Sequence, residues 1–418
     1  MIKVPGLTII GPRLPRNWRE NDHLDRLCIV LVAVLERQVL RAENDGFSPI
    51  SERRLTECVG RDFASRALHI LCDPMVGVLE CDGRYTPGTK CRGYRVRNEI
   101  LTLDLSQRWI PPTLAGKIYA SEAKHSRIEV GDEPSHRTLW RNLCGLTLGP
   151  FPTDLLAPRS SDPKIQLKHH AWQLAVARIN GQRWHFATDK KTGRVFNNFT
   201  SLSKLLRPYA LLDGQTCAEI DIRNSQPFFM TTLYPSRSNE AVRFAEVVSD
   251  GRFYESLNAA SGNPFPDCDR AKLKEAVFTE ILFGRRWATS RLWQGFLDLF
   301  PEMARIVATL KSRDYRSLAV ELQRREAKLM IQTVVPRLSL SLPGVPFLTV
   351  HDSLAIDARH ANQAADLILQ CAREQTGNTP SVRVTPPAPR FALPHLSLGT
   401  TGGSSLVRNN TQHDHTLP

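Results

Sequence analysis

Two carboxylates stand in settings that suit phosphoryl chemistry. Cys217-Ala-Glu-Ile-Asp-Ile-Arg223 alternates apolar and polar residues as a half-buried strand does, so Glu219, Asp221 and Arg223 share one face and Asp221 lies at the strand's end. Far downstream, Pro346-Phe-Leu-Thr-Val350 runs into His351-Asp-Ser353 and continues as Leu354-Ala-Ile356, the pattern of a strand, a tight turn and a strand with Asp352 exposed at the tip. Two such acids brought side by side repel unless a cation neutralises them, and a pair of Mg²⁺ ions is the common solution in phosphoryl-transfer sites. Between them, Asp269-Arg-Ala-Lys-Leu-Lys-Glu-Ala-Val-Phe278 reads as a helix whose i, i+4, i+8 spacing lines up Arg270, Lys274 and Phe278. Two cations and a ring on one face suit a nucleoside triphosphate, with the charges on the phosphates and the ring against the base. Each element taken alone also has an ordinary structural reading.

The whole chain must be able to position such groups. Its 418 residues are 41% apolar and 23% charged, enough for large cores and two or three domains, which excludes disorder throughout. Lys plus Arg number 55 and Asp plus Glu 42, and 55 − 42 = +13, a balance that favours a polyanionic partner, nucleic acid or a membrane surface. The longest apolar run, Leu27 to Leu35, is about half the ~20 residues of a membrane-crossing helix. The first twenty residues hold three prolines and no continuous apolar stretch, so no secretory signal is expected and a cytoplasmic site, in a nucleoid or a host cell, is the default. The nine cysteines are scattered without CxxC pairs, which predicts reduced, mostly buried thiols rather than a zinc site.

Residues 1–105 predict a small DNA-binding domain. Leu24, Leu27, Leu31, Val34 and Leu35 recur at helical spacing, Ser51 caps a helix to Val59, and Asp62 to Leu71 makes a third. Gly77 to Tyr85 and Gly93 to Arg97 then read as paired strands around Thr86-Pro-Gly88. Three helices and a basic hairpin resemble a winged helix, offering Arg61, Ser65 and Arg66 to a groove and Arg84, Lys90, Arg92 and Arg95 to phosphates. A protein-docking module is the bland alternative. Residues 106–183, rich in proline and lacking a long apolar period up to Asp162, predict a connector or thumb-like region; within it Ile165 to Ile179 is a helix with Lys164, Lys168 and His169 on a basic face. Residues 386–418 form a low-complexity tail expected to be disordered. No internal repeat is present at periods of 20 to 50 residues.

The order of these elements resembles the family A DNA polymerases and their relatives, the phage-type single-subunit RNA polymerases, over about Trp184 to Thr385. Lys191-Thr-Gly-Arg-Val195, with Asn198, Leu202 and Arg207, is similar to a segment that the family places on primer-template backbone. Asp221-Ile-Arg-Asn-Ser-Gln226 resembles motif A, which implies that Asp221 binds both metals and that the carbonyl of Ile222 is a further ligand. Asp250-Gly-Arg-Phe-Tyr-Glu255 resembles the acidic-aromatic segment at the base of the fingers, and Arg270 to Gly284 resembles motif B, whose Arg and Lys grip the triphosphate. Leu322-Gln-Arg-Arg-Glu-Ala327 is similar to a Gln-containing helix beside the primer terminus, and His351-Asp-Ser353 resembles motif C.

The implied fold is α+β: a polymerase right-hand palm, an antiparallel sheet with helices, and helical fingers over 184–385, preceded by the winged-helix-like domain. Asp221 and Asp352 would be catalytic and hold two Mg²⁺, for which Mn²⁺ can substitute. Arg270, Lys274 and Phe278 would bind the triphosphate, Arg194, Lys204, Arg207 and Gln323 would hold nucleic acid, and His351 would sit beneath the primer end. Three departures stand out. Phe283-Gly284 falls one residue further from Lys274 than the family's Tyr-Gly pair, which requires a bulge in the helix or a different alignment of its second half. Gln226 stands where DNA polymerases of the family carry a sugar-selecting Glu and the RNA polymerases a Gly; it keeps the bulk and favours deoxynucleotides, whereas Ser353 is the residue common in the RNA polymerases. The short intervals from Asp221 to Asp269 and from Gln323 to Asp352 imply small fingers, and no upstream block resembles a proofreading exonuclease, which implies modest fidelity.

The implied partners are a DNA template-primer and nucleoside triphosphates, with no membrane, and oligomeric state stays open. A phage-type RNA polymerase or primase-like enzyme is the first alternative, and a non-enzymatic DNA-binding replication initiator the second. The fusion of a compact polymerase to a DNA-binding module suits a mobile genetic element.

Overall fold

Hydrophobic residues of the chain gather into two cores, each built from helices laid on antiparallel strands. The structure, a computed structural model, describes residues 2–41, 46–86, 91–103, 105–125, 128–152, 155–156, 161–265, 269–285 and 289–389. The tail expected to be disordered lies outside the described residues beyond 389.

The first core uses β1 (Ile2–Pro5), α1 (Leu7–Arg13), α2 (Asn21–Arg41), β2 (Ser48–Pro49), α3 (Glu52–Val59), α4 (Arg61–Cys72), β3 (Leu79–Cys81), β4 (Gly93–Val96), α5 (Asn98–Leu101), β5 (Leu105–Arg108) and α6 (Pro112–His125). Helix α2 turns Leu27, Val30, Leu31, Val34 and Leu35 inward at i, i+3, i+4, i+7, i+8, the stripe that a core-facing helix needs. Strands β2, β4 and β3 pair antiparallel in that order beside α3 and α4. The N-terminal β1, unread in the sequence, pairs with β5 and closes the unit. Glu57 of α3 accepts from Ser121 (3.0 Å), Lys124 (2.7 Å) and His125 (2.8 Å), which ties α6 to this unit.

The second core begins with α7 (Pro134–Cys144), β6 (Leu146–Leu148) and α8 (Pro163–Asn180). Residues 106–183 divide between the two cores: α6 belongs to the first, and α7 and β6 to the second. Helix α8 serves both, with Leu167 and Leu174 against the first and Trp172 and Ile179 in the second. The short apolar stretches between its prolines are too brief to show a period yet long enough to plug a neighbouring core.

Next come β7 (Phe186–Thr188), β8 (Val195–Asn197), β9 (Ala210–Leu212), β10 (Gln215–Ile222), α9 (Ser225–Met230), α10 (Asn239–Ser249), α11 (Phe253–Ala260) and α12 (Arg270–Val277). The chain ends in α13 (Arg291–Leu299), α14 (Pro301–Arg313), α15 (Ser317–Ala327), α16 (Val335–Ser341), β11 (Phe347–Val350), β12 (Ser353–Asp357), α17 (Ala361–Thr376) and β13 (Val382–Thr385). Six strands form an antiparallel sheet ordered β11-β12-β10-β9-β6, with β13 beside the second half of β10. Strands β11 and β12 are buried along their whole length, as the near-continuous apolar runs require. The side-chain amide of Asn142 on α7 donates to the Phe347 carbonyl at 2.9 Å, capping the outer edge of β11 that would otherwise invite another strand. Rings of Phe244, Phe253, Phe296 and Phe300 interlock edge to face beneath α10, α11, α13 and α14, each fully buried ring stabilising the layer by about 2 kcal/mol.

Candidate active site at the β10 end and the 351–353 turn

Strand pairing alone brings the two acids together. Asp221, at the end of β10, lies opposite Ser353 of β12, and the Ile222 N–H donates to the Asp352 carbonyl at 3.3 Å. The turn between β11 and β12 has only two residues, because Val350 pairs with Ser353. A loop this short needs a positive φ, and His351 supplies it at 55°, a costly conformation for a non-glycine residue and one that fixes where Asp352 points. Burial pushes the Asp221 carboxyl above the usual carboxylate range and the Asp352 charge pushes further, while Lys204 and Arg383 pull the other way. Asp352 itself is half-buried rather than exposed, since the turn is packed against β10.

Counter-ions surround the pair. On the other side of β10, Asp221 faces Arg383 of β13, whose guanidinium lies 3.4 Å from the carboxylate. Glu219, two residues before Asp221, accepts from Arg207 at 3.0 Å and from the Ser353 hydroxyl at 2.9 Å. Glu326 of α15 is 1% exposed, accepts two bonds from Arg194 (2.8 and 2.6 Å) and accepts a third from the Gln226 amide at 2.9 Å. Burial outweighs these partners and lifts the Glu326 carboxyl to about 7. His351 is pushed down to about 4, first by burial and then by Arg194, so its ring is neutral at physiological pH.

Arg194 and Arg207, expected on nucleic acid, thus turn inward: their side chains are 15% and 9% exposed and each meets a carboxylate, as a buried guanidinium must. Lys204 is exposed within electrostatic reach of Asp221. Gln323 is half-buried on α15, one turn before Glu326.

Helix α12 starts where the Asp269 side chain accepts from the N–H groups of Ala271 (3.1 Å) and Lys272 (3.2 Å). The Arg270 guanidinium is held by Glu255 and by the Gly251 carbonyl at 2.9 Å, and lies over the Tyr254 ring at 5.7 Å. Burial raises the Tyr254 hydroxyl, with a smaller push in the same direction from the Asp352 charge. Lys274 is exposed with its ammonium 5.5 Å from the Phe278 ring centre.

The helix does bulge after Phe278. Residues Phe278–Leu282 wind as a π-helix, and the Phe283 N–H reaches back five residues to the Phe278 carbonyl at 2.8 Å. The extra residue per turn accommodates the one-position excess noted in the sequence. A Cβ on Gly284 would come 1.6 Å from the Thr279 carbonyl oxygen, so only glycine fits the exit of the bulge. Lys311 of α14, 3% exposed, donates to the carbonyls of Ile281 (2.5 Å) and Leu282 (3.4 Å), and burial lowers it to about 8.

In the first unit Arg61, Ser65 and Arg66 lie on the exposed face of α4, and Arg84 is exposed. Arg92 lies over the Tyr85 ring at 5.9 Å. Arg95 turns instead to Glu80 at 2.6 Å and stacks on Phe47 at 4.4 Å, and Lys90 lies outside the described residues. On α8, Lys164 and Lys168 are exposed, but His169 is buried against Trp172 and does not share their open face.

Three residues at the site escaped the sequence reading. Glu326 had a signal, because Leu318, Leu322 and Glu326 form an i, i+4, i+8 stripe and a carboxylate on a buried stripe needs a partner. Arg383 had a weaker one in the alternation of Val382-Arg-Val-Thr385. Nothing in the sequence marks Lys311.

No protein-family model and no curated protein matches the chain. Among solved structures, the POL domain of Pol1 from M. smegmatis, in complex with DNA primer-template and dNTP, aligns with a TM-score of 0.40 and 14% identity, over 53% of this chain and 52% of that one. The chain thus spans about half the length of that structure. No helix among the described residues is long and apolar enough to cross a membrane.

Proposed function

We propose that the chain is a template-directed nucleotidyltransferase, a DNA polymerase of the family A type that extends a primer by two-metal phosphoryl transfer. The observation that carries this reading is the seating of Asp221 against the His351-Asp352-Ser353 turn.

The donor set suits Mg²⁺, with Mn²⁺ as a substitute. Mg²⁺ keeps several waters and takes one or two carboxylates plus substrate phosphates rather than an all-protein cage. Asp221 and Asp352 with the strand-end residue Ile222 offer such a set, and among the described residues no group of three or more His, Cys, Asp or Glu forms a cage. When bound, the two ions lower the pKa of the primer 3′-hydroxyl and stabilise the departing pyrophosphate.

The chain's own groups do the rest by position and charge. Arg270, on leaving Glu255, and Lys274 neutralise the triphosphate, and Phe278 flanks the base. Gln226, fixed by Glu326, puts bulk beside the sugar and favours deoxynucleotides. The neutral ring of His351 lies under the primer end without adding charge beside the acids. Lys204 and Gln323 hold the primer-template, and Arg194 and Arg207 organise the carboxylates around it.

The first unit we read as a winged helix, supported by its order of three helices and a sheet of β2, β4 and β3, with Arg61, Ser65 and Arg66 toward a DNA groove and Arg84 and Arg92 toward phosphates. Primer extension on a DNA template, run with deoxynucleotides and with ribonucleotides, tests the proposal. Mg²⁺-dependent incorporation of deoxynucleotides is expected. Unprimed incorporation of ribonucleotides would overturn the DNA reading, and sequence-specific DNA binding with no incorporation would favour an initiator.

A further inference from the structure

We propose that Arg383 is a built-in counter-cation of Asp221 that competes with the divalent ions and so sets the metal concentration at which the site fills. This rests on the reading of Asp221 and Asp352 as the metal-holding pair.

The register fixes the contact. Arg383 is the cross-strand partner of Asp221 on the edge of β10 opposite β12, and its Nη2 stands 3.4 Å from Asp221 Oδ2. The two backbones are held opposite each other by the β10–β13 ladder, which runs from Glu219↔Thr385 to Ile222↔Val382, so only the side chains can part. The guanidinium is 57% exposed, so it can swing into solvent, whereas Asp221 is 25% exposed and stays in place. Arginine at this point is always charged. A divalent ion arriving at Asp221 must therefore displace one cation and then sit beside it; Lys204 also pulls on that carboxylate from its exposed position, but the strand register holds Arg383 directly opposite it, and Arg207 is bound by Glu219.

The consequence is a threshold. With little metal the acid pair is partly neutralised and the sheet end stays folded; with enough metal the ions replace the guanidinium. Removing the charge should weaken the competitor and tighten metal binding, the reverse of what loss of a binding residue does.

The test is Mn²⁺ binding to the full chain without nucleotide or DNA, read from the loss of the free-ion electron paramagnetic resonance signal. Arg383→Gln should lower the midpoint roughly two- to fivefold, the range of a partly exposed ion pair, while Arg383→Lys stays near the parent. Asp221→Asn should abolish the high-affinity phase. An unchanged or raised midpoint in Arg383→Gln, with binding by the parent and loss in Asp221→Asn intact, overturns the counter-cation role alone. Absence of Mn²⁺ binding by the parent overturns the metal-site reading and this inference with it. Circular dichroism melts of both Arg383 variants confirm that they fold.

Discussion

Replacing Asp221 by Asn should stabilise the protein while abolishing its proposed reaction. The environment of Asp221 raises its pKa, which means that the folded chain disfavours the charged form on balance despite Lys204 and Arg383. Burial is the larger cause; side chains across a strand pair stand about 5–8 Å apart, and two like charges at that separation add a repulsion of roughly 2–3 kcal/mol at an effective dielectric of 20 and roughly 0.5–0.8 kcal/mol in bulk water. Asp221 is 25% exposed and partly offset by two cations, so a net gain of about 1 kcal/mol is the expectation for the neutral variant. In a folding unit of this size that is roughly 2–4 °C in Tm. The sign depends on pH. A carboxyl whose folded pKa lies above its unfolded value holds its proton more tightly when folded, so its ionised form costs stability above the folded pKa and the cost vanishes below the unfolded one. Scanning calorimetry in EDTA should therefore show Asp221→Asn melting higher than the parent at pH 7.5 and converging with it toward pH 3.5. A variant that melts lower at pH 7.5, or a difference that does not shrink on acidification, would refute the argument that burial and the neighbouring acid disfavour the Asp221 charge in the metal-free chain.

Three further outcomes follow from packing and charge. Gly284→Ala forces a Cβ onto the Thr279 carbonyl and should cost roughly 1–3 kcal/mol in denaturant unfolding, with a raised KM for nucleotide as the bulge relaxes. Glu326→Ala leaves Arg194 buried without its carboxylate and should cost about 3–5 kcal/mol, whereas Glu326→Gln, which keeps the shape and one acceptor oxygen, should cost less in the same melts. Lys311→Met should leave kcat near the parent but raise KM for nucleotide several-fold, because the Ile281 and Leu282 carbonyls lose their donor; Lys311→Arg, a cation of greater length, should restore part of it in steady-state assays.

Local chemistry made part of this site legible. The alternation of residues 217–223 and the apolar runs flanking His351-Asp352 encode β10, β11 and β12, because a strand's faces and a hairpin's turn are written in neighbouring residues. The π-helical turn at Phe278–Leu282 is likewise local, closing at Gly284 within seven positions. What stayed hidden depends on partners far along the chain. Arg194 meets Glu326 across 132 positions, whereas the resemblance placed Arg194 on nucleic acid. Arg383 sits in a proline- and threonine-rich stretch whose strand forms only because β10 offers it an edge. The helices between 112 and 180 lack a period because each buries only a few residues, some against one core and some against the other.

The central claim is that Asp221 and Asp352 hold divalent ions between them for nucleotidyl transfer. The most direct measurement is the anomalous difference density of crystals grown with Mn²⁺, primer-template and a non-hydrolysable nucleotide. Peaks are expected at the carboxylates of Asp221 and Asp352, and none there in crystals of Asp352→Ala. Peaks elsewhere in the chain, or nucleotide bound with no density at the acid pair, would contradict it.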